Sequence, residues 1–405
     1  MAVTLLIRNR NYRLLFAAGA LTNLGDGLIA LALPWLATLM TRDPVAITVV
    51  AAAARLPWLL FALPAGVIID RTDRRKLIAR ADLLRAGIVF AIMMLAVGDP
   101  VHEAVWALAG LAFLLGSAEV LRDNAAQTIL PAIVEPDDLE AANGQMWSAE
   151  QLTGQFIGPP LAGLMIGAGI ALPFGLDVAA LVLAAGLVWL ITLAPQIRTS
   201  SRFWPALVEG VKWMRRDVPL LRLAIILGLV NFLYMMAFTI TVLFAQEVLG
   251  LSATGHGILL SVAALGAIVG SLGAPAIVAR IGAQASLFVS LAVWGLSYAV
   301  IGLSSSMVVA GAAMFSLMLG AMLWNVITVA WRQRRIPPEL LGRVNSIYRF
   351  FGWGSMPLGA LAGGIVVSLA ENEVGREAAL RAPFLIAAAG SAVLLTYAVF
   401  KLRLR

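Results

Sequence analysis

A lone acid in a long apolar stretch can bind and release a proton, and Asp26 in Asn23-Leu-Gly25-Asp26-Gly27 is such a group. The stretch opens near residue 12, which puts Asp26 about 20 Å along a helix at 1.5 Å per residue. A carboxylate at that depth costs at least about 2.5 kcal/mol unless it is paired, hydrated or protonated. Its small neighbours leave room for water or a ligand. Arg55 stands about 13 Å into the next apolar stretch, at a matching depth. We therefore expect Asp26 and Arg55 to meet, with protonation of Asp26 loosening the pair; a static salt bridge between them is the alternative.

The elements that position these groups are membrane helices. Hydrophobic residues make up 61% of the 405 and charged residues 13%, and apolar runs long enough to cross a bilayer recur throughout. Spans are expected near 12–38, 46–69, 78–97, 104–129, 142–167, 170–194, 219–246, 255–279, 284–303, 308–331, 343–369 and 380–400. The net charge of +7 follows topology rather than a nucleic-acid surface. Arg42, Arg376 and Arg381 fall in loops of one face, Arg55, Arg85 and Arg122 fall inside or at the ends of spans, with Asp82 and Arg85 beginning the third, and the remaining cations crowd the opposite face. The positive-inside rule makes that face cytoplasmic and places both termini there. The opening residues lack the short apolar core and small-residue cleavage site of a secretory signal, so the first span is expected to be retained.

The chain has no cysteine and two histidines, which removes disulfide and thiolate chemistry. His102 and His256 lie near predicted outer loops and are expected to be solvated, so no metal site and no cofactor are expected. No Gly-x-x-x-x-Gly-Lys-Ser/Thr loop for ATP phosphates occurs.

The two halves echo each other. Pro136-x-x-Leu139-x-x-x-Asn143 has the same spacing as Pro338-x-x-Leu341-x-x-x-Asn345, and Ala65-x-x-Ile68-x-x-Arg71 that of Ala274-x-x-Ile277-x-x-Arg280. A duplication of a six-span unit accounts for both. The expected organisation is a bundle over 1–195, a connector over 196–218 and a second bundle over 219–405. In the connector, Phe203, Trp204, Leu207, Val211, Trp213 and Met214 alternate with Lys212, Arg215 and Arg216. That pattern suits a helix lying in the inner interface; a helix docking a partner protein would look similar.

Between the second and third spans stands Gly66-Val-Ile-Ile-Asp70-Arg71-Thr72-Asp73-Arg74-Arg75-Lys76, too charged for hydrocarbon. It resembles the signature hairpin of the major facilitator superfamily, with Asp73 where that family usually has glycine. The resemblance covers essentially the whole chain. It implies an all-α membrane protein of twelve transmembrane helices in two pseudo-symmetric six-helix bundles. By analogy with that family, Gly66, Asp70, Arg71, Arg74 and Arg75 form a gating latch. Glu119, Arg122 and Asp123, with Asp82 and Arg85, form a charge network joined to it. The hairpin's counterpart in the second half is Arg280-Ile-Gly-Ala-Gln, without these charges, which argues against a merely topological role. Gly154-x-x-x-Gly158-Pro159-x-x-Ala162-Gly163 resembles the superfamily's antiporter motif, although small residues also serve passive packing.

Asn23, Asn231, Phe232, Tyr234, Met235, Trp324, Asn325 and Trp353 would line an adaptable, largely apolar substrate cavity; ordinary core packing accounts for about half of such side chains. Within the superfamily the chain is most similar to the drug:proton antiporters that include macrolide-efflux and siderophore-export proteins. The match implies a non-enzymatic, monomeric, multi-pass protein of the cell membrane. It would export small amphipathic molecules by alternating access, driven by protons, in contact with membrane lipid and with no nucleic-acid partner. A lipid or lysophospholipid flippase, a siderophore exporter and a non-transporting receptor are the other readings.

Overall fold

A computed structural model describes residues 2–98, 102–193 and 203–403. In the first half a short α1 (Ala2–Arg8) leads into α2 (Arg10–Met40), α3 (Pro44–Arg71), α4 (Arg74–Val97) and α5 (Ala104–Ile129). Then come α6 (Leu139–Ala149), a π-helical turn over Glu150–Ile157, α7 (Gly158–Ala168) and α8 (Leu172–Trp189). The second half holds α9 (Phe203–Arg216), α10 (Val218–Leu243), α11 (Ala253–Ile281), α12 (Ala283–Leu303), α13 (Met307–Arg335), α14 (Pro338–Gly354), α15 (Met356–Val374) and α16 (Arg376–Lys401).

Among the described residues, ten segments are long and apolar enough to cross a membrane. The two further spans read from the sequence miss this criterion for physical reasons. In α4 the first turns carry Arg74, Arg75, Lys76, Arg80, Asp82 and Arg85, and the span over 142–167 is split by its π turn into pieces too short to qualify singly.

The helix breaks have local causes. Pro160 has no N–H to give to the carbonyl of Phe156, four residues earlier. Ser261 on α11 donates to that carbonyl instead, at 2.8 Å. Widening of the helix to a π turn just before a proline relieves the ring's clash with the preceding turn. In the second half the corresponding span breaks at Ser355, between α14 and α15, again just before a proline, Pro357. There Asn231 on α10 donates to the carbonyl of Gly352 at 2.9 Å.

The two α-hairpin turns on the basic face are made differently. Asp73 caps α4, its carboxylate accepting from the Lys76 amide at 3.2 Å; an acid replaces glycine where an N-cap is required. Gly282, at φ 80°, turns α11 into α12 with a backbone conformation that favours glycine.

The chain forms two compact units. The first is Met1–Arg42, Ala53–Ser200 and Ser252–Ser261, and the second is Asp43–Ala52, Ser201–Leu251 and Val262–Arg405. In the first, α8 packs against both α2 and α4, and α5 against α4. In the second, α10 packs on α15 and α12 on α13 and α16. The connector helix α9 lies against α10 and α14, with Met214 buried and Lys212, Arg215 and Arg216 exposed. The buried Met214 is thus turned inward and the three cations outward. The side chains of Phe203, Trp204 and Leu207 lie outside the described residues.

Candidate functional site

The first unit gathers its membrane-embedded charges into one cluster. Arg85 on α4 makes a close ion pair with Asp26 on α2. The arginine side chain is 1% exposed and that of the acid 35%. Asp82, one turn earlier on α4, lies 3.8 Å from Arg85 and 3.5 Å from Arg122 on α5. Arg122 also pairs with Asp123 at 3.1 Å and donates to the hydroxyl of Thr22 at 2.7 Å. Arg122 is thus held by two acceptors, Asp123 and Thr22, whereas Arg85 donates to Asp26 alone and its Nε and Nη1 have no hydrogen-bond partner.

This arrangement corrects the expected pairing. The counter-charge of Asp26 is Arg85, not Arg55. Arg55 is exposed, and the acid that feels its charge is Glu119. Arg85 looks like a span-end residue when the span is started at its first apolar position. Since α4 begins at Arg74, Arg85 stands about 16 Å inside it. The Asp26–Arg85 pair and the Glu119, Arg122 and Asp123 network are consequently one constellation: the charge of Glu119 also acts on Arg85.

The sequence reading overlooked Asp177. It is the lone titratable residue of α8 and is fully buried, and neither carboxyl oxygen has a hydrogen-bond partner. Its carboxyl lies against Gly25, where an added Cβ would stand 1.8 Å from Oδ1. A solitary acid in an apolar run was the same signal that singled out Asp26.

The hairpin arginines act within their own unit. Arg74 donates to the carbonyl of Thr128 at 2.8 Å and Arg75 to that of Ile191 at 3.0 Å. Cations at these positions cap the carbonyl ends of α5 and α8. The side chains of Gly66, Asp70 and Arg71 lie outside the described residues.

The antiporter-motif residues bring backbones together. A Cβ on Gly27 would stand 2.1 Å from the carbonyl oxygen of Gly154, and one on Gly158 2.6 Å from Cα of Gly27. Gly163 faces Ala253 and Pro159 faces Gly257 in the same close manner. His256, expected to be solvated, is buried beside Trp35 at 6.3 Å between ring centres, because the first turns of α11 belong to this unit. His102 is exposed.

Of the residues proposed for a substrate cavity, Asn23, Phe232, Tyr234 and Trp353 are half-buried and Asn325 is exposed. Met235 and Trp324 are buried, Trp324 against Trp294 with ring centres 5.6 Å apart. Tyr234 stacks on Phe238 at 5.3 Å, and Asn231 is engaged by Gly352.

Residues 5–403 match the family described as transmembrane secretion effector, MFS_3. The multidrug efflux pump Tap of Mycobacterium bovis is 28% identical over 88% of each chain. Tap of Mycolicibacterium fortuitum is 34% identical over 38% of each chain. Among solved structures, a mutant of the nucleoside transporter NupG superposes with a TM-score of 0.79 at 15% identity, covering 98% of this chain and 100% of that one. A bacterial homologue of the iron transporter ferroportin in its inward-facing state gives 0.73 at 17% identity, covering 96% and 99%. At these identities the structural likeness speaks for the fold alone. With its all-helical architecture and its match along nearly the full length, the chain belongs to the transmembrane secretion effector family of the major facilitator superfamily and is a multi-pass membrane transporter, not an enzyme.

Proposed function

We propose that the protein exports small amphipathic molecules by alternating access, with inward proton flow as the driving force and both termini in the cytoplasm. The observation that carries this reading is the Asp26–Arg85 pair: a partly accessible acid within a membrane span, matched to a cation that is itself buried. Protonation of Asp26 removes its attraction for Arg85 and leaves that cation to its other neighbours. Proton binding at an accessible carboxyl is thereby converted into a change of internal pairing. The efflux activity in the name of the Tap relatives supports the direction of transport and a drug-like substrate.

In this reading Asn23, Phe232, Tyr234, Asn325 and Trp353 offer the amide and aromatic contacts of an adaptable site. Gly66, Asp70, Arg71, Arg74 and Arg75 serve as the gating hairpin, and the motif Gly154, Gly158, Pro159 and Gly163 is the close-packed segment that limits leak. The two six-span repeats are taken as 1–195 and 219–405 along the sequence.

The test is reconstitution into sealed vesicles with an imposed pH gradient and a panel of amphipathic cations and neutral compounds. Wild type should accumulate substrate and dissipate the gradient, and Asp26→Asn should do neither. Uphill accumulation by Asp26→Asn equal to wild type would remove Asp26 as the coupler. A response confined to labelled phospholipid would make the protein a lipid mover.

A further inference from the structure

Asp177 is left unused by the pairings described above, and its surroundings are fully defined. Helix α8 packs on α2, α4 and α7. The charges that act on it are Asp26 from α2 and Asp82 and Arg85 from α4; α7 carries no titratable residue, and α8 carries no other. Arg85 therefore stands among four acids, Asp26, Asp82, Asp177 and, from α5, Glu119. It is taken by Asp26 and flanked by Asp82, and Asp82 is additionally met by Arg122. Asp177 has no partner of either kind. An ionised carboxylate with neither water nor a donor is far costlier to bury than its acid form. Its contact with Gly25 sets its carboxyl against α2 one residue before Asp26.

We propose that Asp177 is a second proton-binding site of the transporter and that Arg85 is the counter-ion it shares with Asp26. When the Asp26 carboxylate takes up a proton, Arg85 loses that partner and turns to Asp177. Asp177 then gives up its own proton to water entering at the exposed side of Asp26, whose side chain is 35% exposed, and becomes the carboxylate of the new pair. One proton is bound and one released, and the net charge of the three groups is unchanged. The exchange rests on the reading of Asp26 as the coupling acid; the proton resident on Asp177 does not.

The experiment reads carboxyl protonation directly, without transport. Full-length protein in lipid nanodiscs is examined by infrared difference spectroscopy across a pH titration, as wild type, Asp177→Asn, Asp82→Asn and Asp26→Asn. Wild type should show a protonated-carboxyl C=O band at neutral pH that is lost in Asp177→Asn, kept in Asp82→Asn and diminished in Asp26→Asn, where Arg85 is free to turn. Wild type carrying ¹³C-carboxyl aspartate should shift the band, which separates it from Glu119 and serves if Asp177→Asn does not fold. A band unmoved by the label, or unaltered in Asp177→Asn, overturns the site. A band that belongs to Asp177 but is identical in Asp26→Asn overturns the exchange. Loss of coupling is read separately, from the vesicle pH assay on Asp26→Asn, so the two readings fail independently.

Discussion

Asp26 on α2 and Arg85 on α4 form an ion pair although their helices pack chiefly on α8 and not on each other. The length of the arginine bridges the gap. Replacing it leaves Asp26 and Asp82 without that cation in a low-dielectric interior. Arg85→Met should cost about 3–5 kcal/mol, seen as a lowered thermal midpoint in detergent. Adding Asp26→Asn to Arg85→Met should restore part of the loss, because one uncompensated charge is then gone. A double variant no more stable than the single one would mean that Asp82 is the acid that matters to the fold.

Helix α2 meets the π turn through bare backbone. Gly27→Ala would place a methyl 2.1 Å from the Gly154 carbonyl oxygen and force the two segments apart, at about 1–3 kcal/mol. Gly87→Ala, with nothing within 4 Å of the new atom, should be neutral or slightly stabilising. Thermal unfolding of the two variants side by side checks the contrast.

Much of this organisation was legible beforehand. The fifth helix runs over 104–129 as read from its apolar run, and Asp26 stood out as the one charged residue of its apolar stretch. Its partner was not legible, because pairing depends on α2 and α4 sharing α8, and that is a matter of packing. Hydropathy also trims a helix to its apolar part, which misplaced Arg85 near an end. His256 was misread for a related reason: an outer helix end is solvated only if nothing packs on it, and the α11 end is covered. Asp177 needed no structure to be noticed.

The carbonyl of Phe156, freed by Pro160, accepts the hydroxyl of Ser261. Ser261→Ala should leave that carbonyl unsatisfied and cost about 1–3 kcal/mol. Ser261→Thr keeps the donor and should recover most of it. Amide exchange across 153–158, followed by mass spectrometry, should quicken in Ser261→Ala and stay near wild type in Ser261→Thr.

Asp73 occupies the usual glycine position of the hairpin and caps α4. Asp73→Ala should lower stability by about 1 kcal/mol, and Asp73→Gly by only a few tenths, since glycine is tolerated at this helix position. Chemical denaturation in mixed micelles would rank them; equal losses would show that the carboxylate contributes nothing as a cap.

The paired interruptions before Pro159 and Pro357 bear on the history of the molecule. If the halves descend from one ancestral unit, a break retained in both was present in that ancestor. Among the described residues the fully buried acids, Asp82 and Asp177, lie in the first half alone, as does the charged hairpin. The joint in the helix is then the feature the halves hold by common descent, and the buried ionic cluster the one that sets the first half apart from the second.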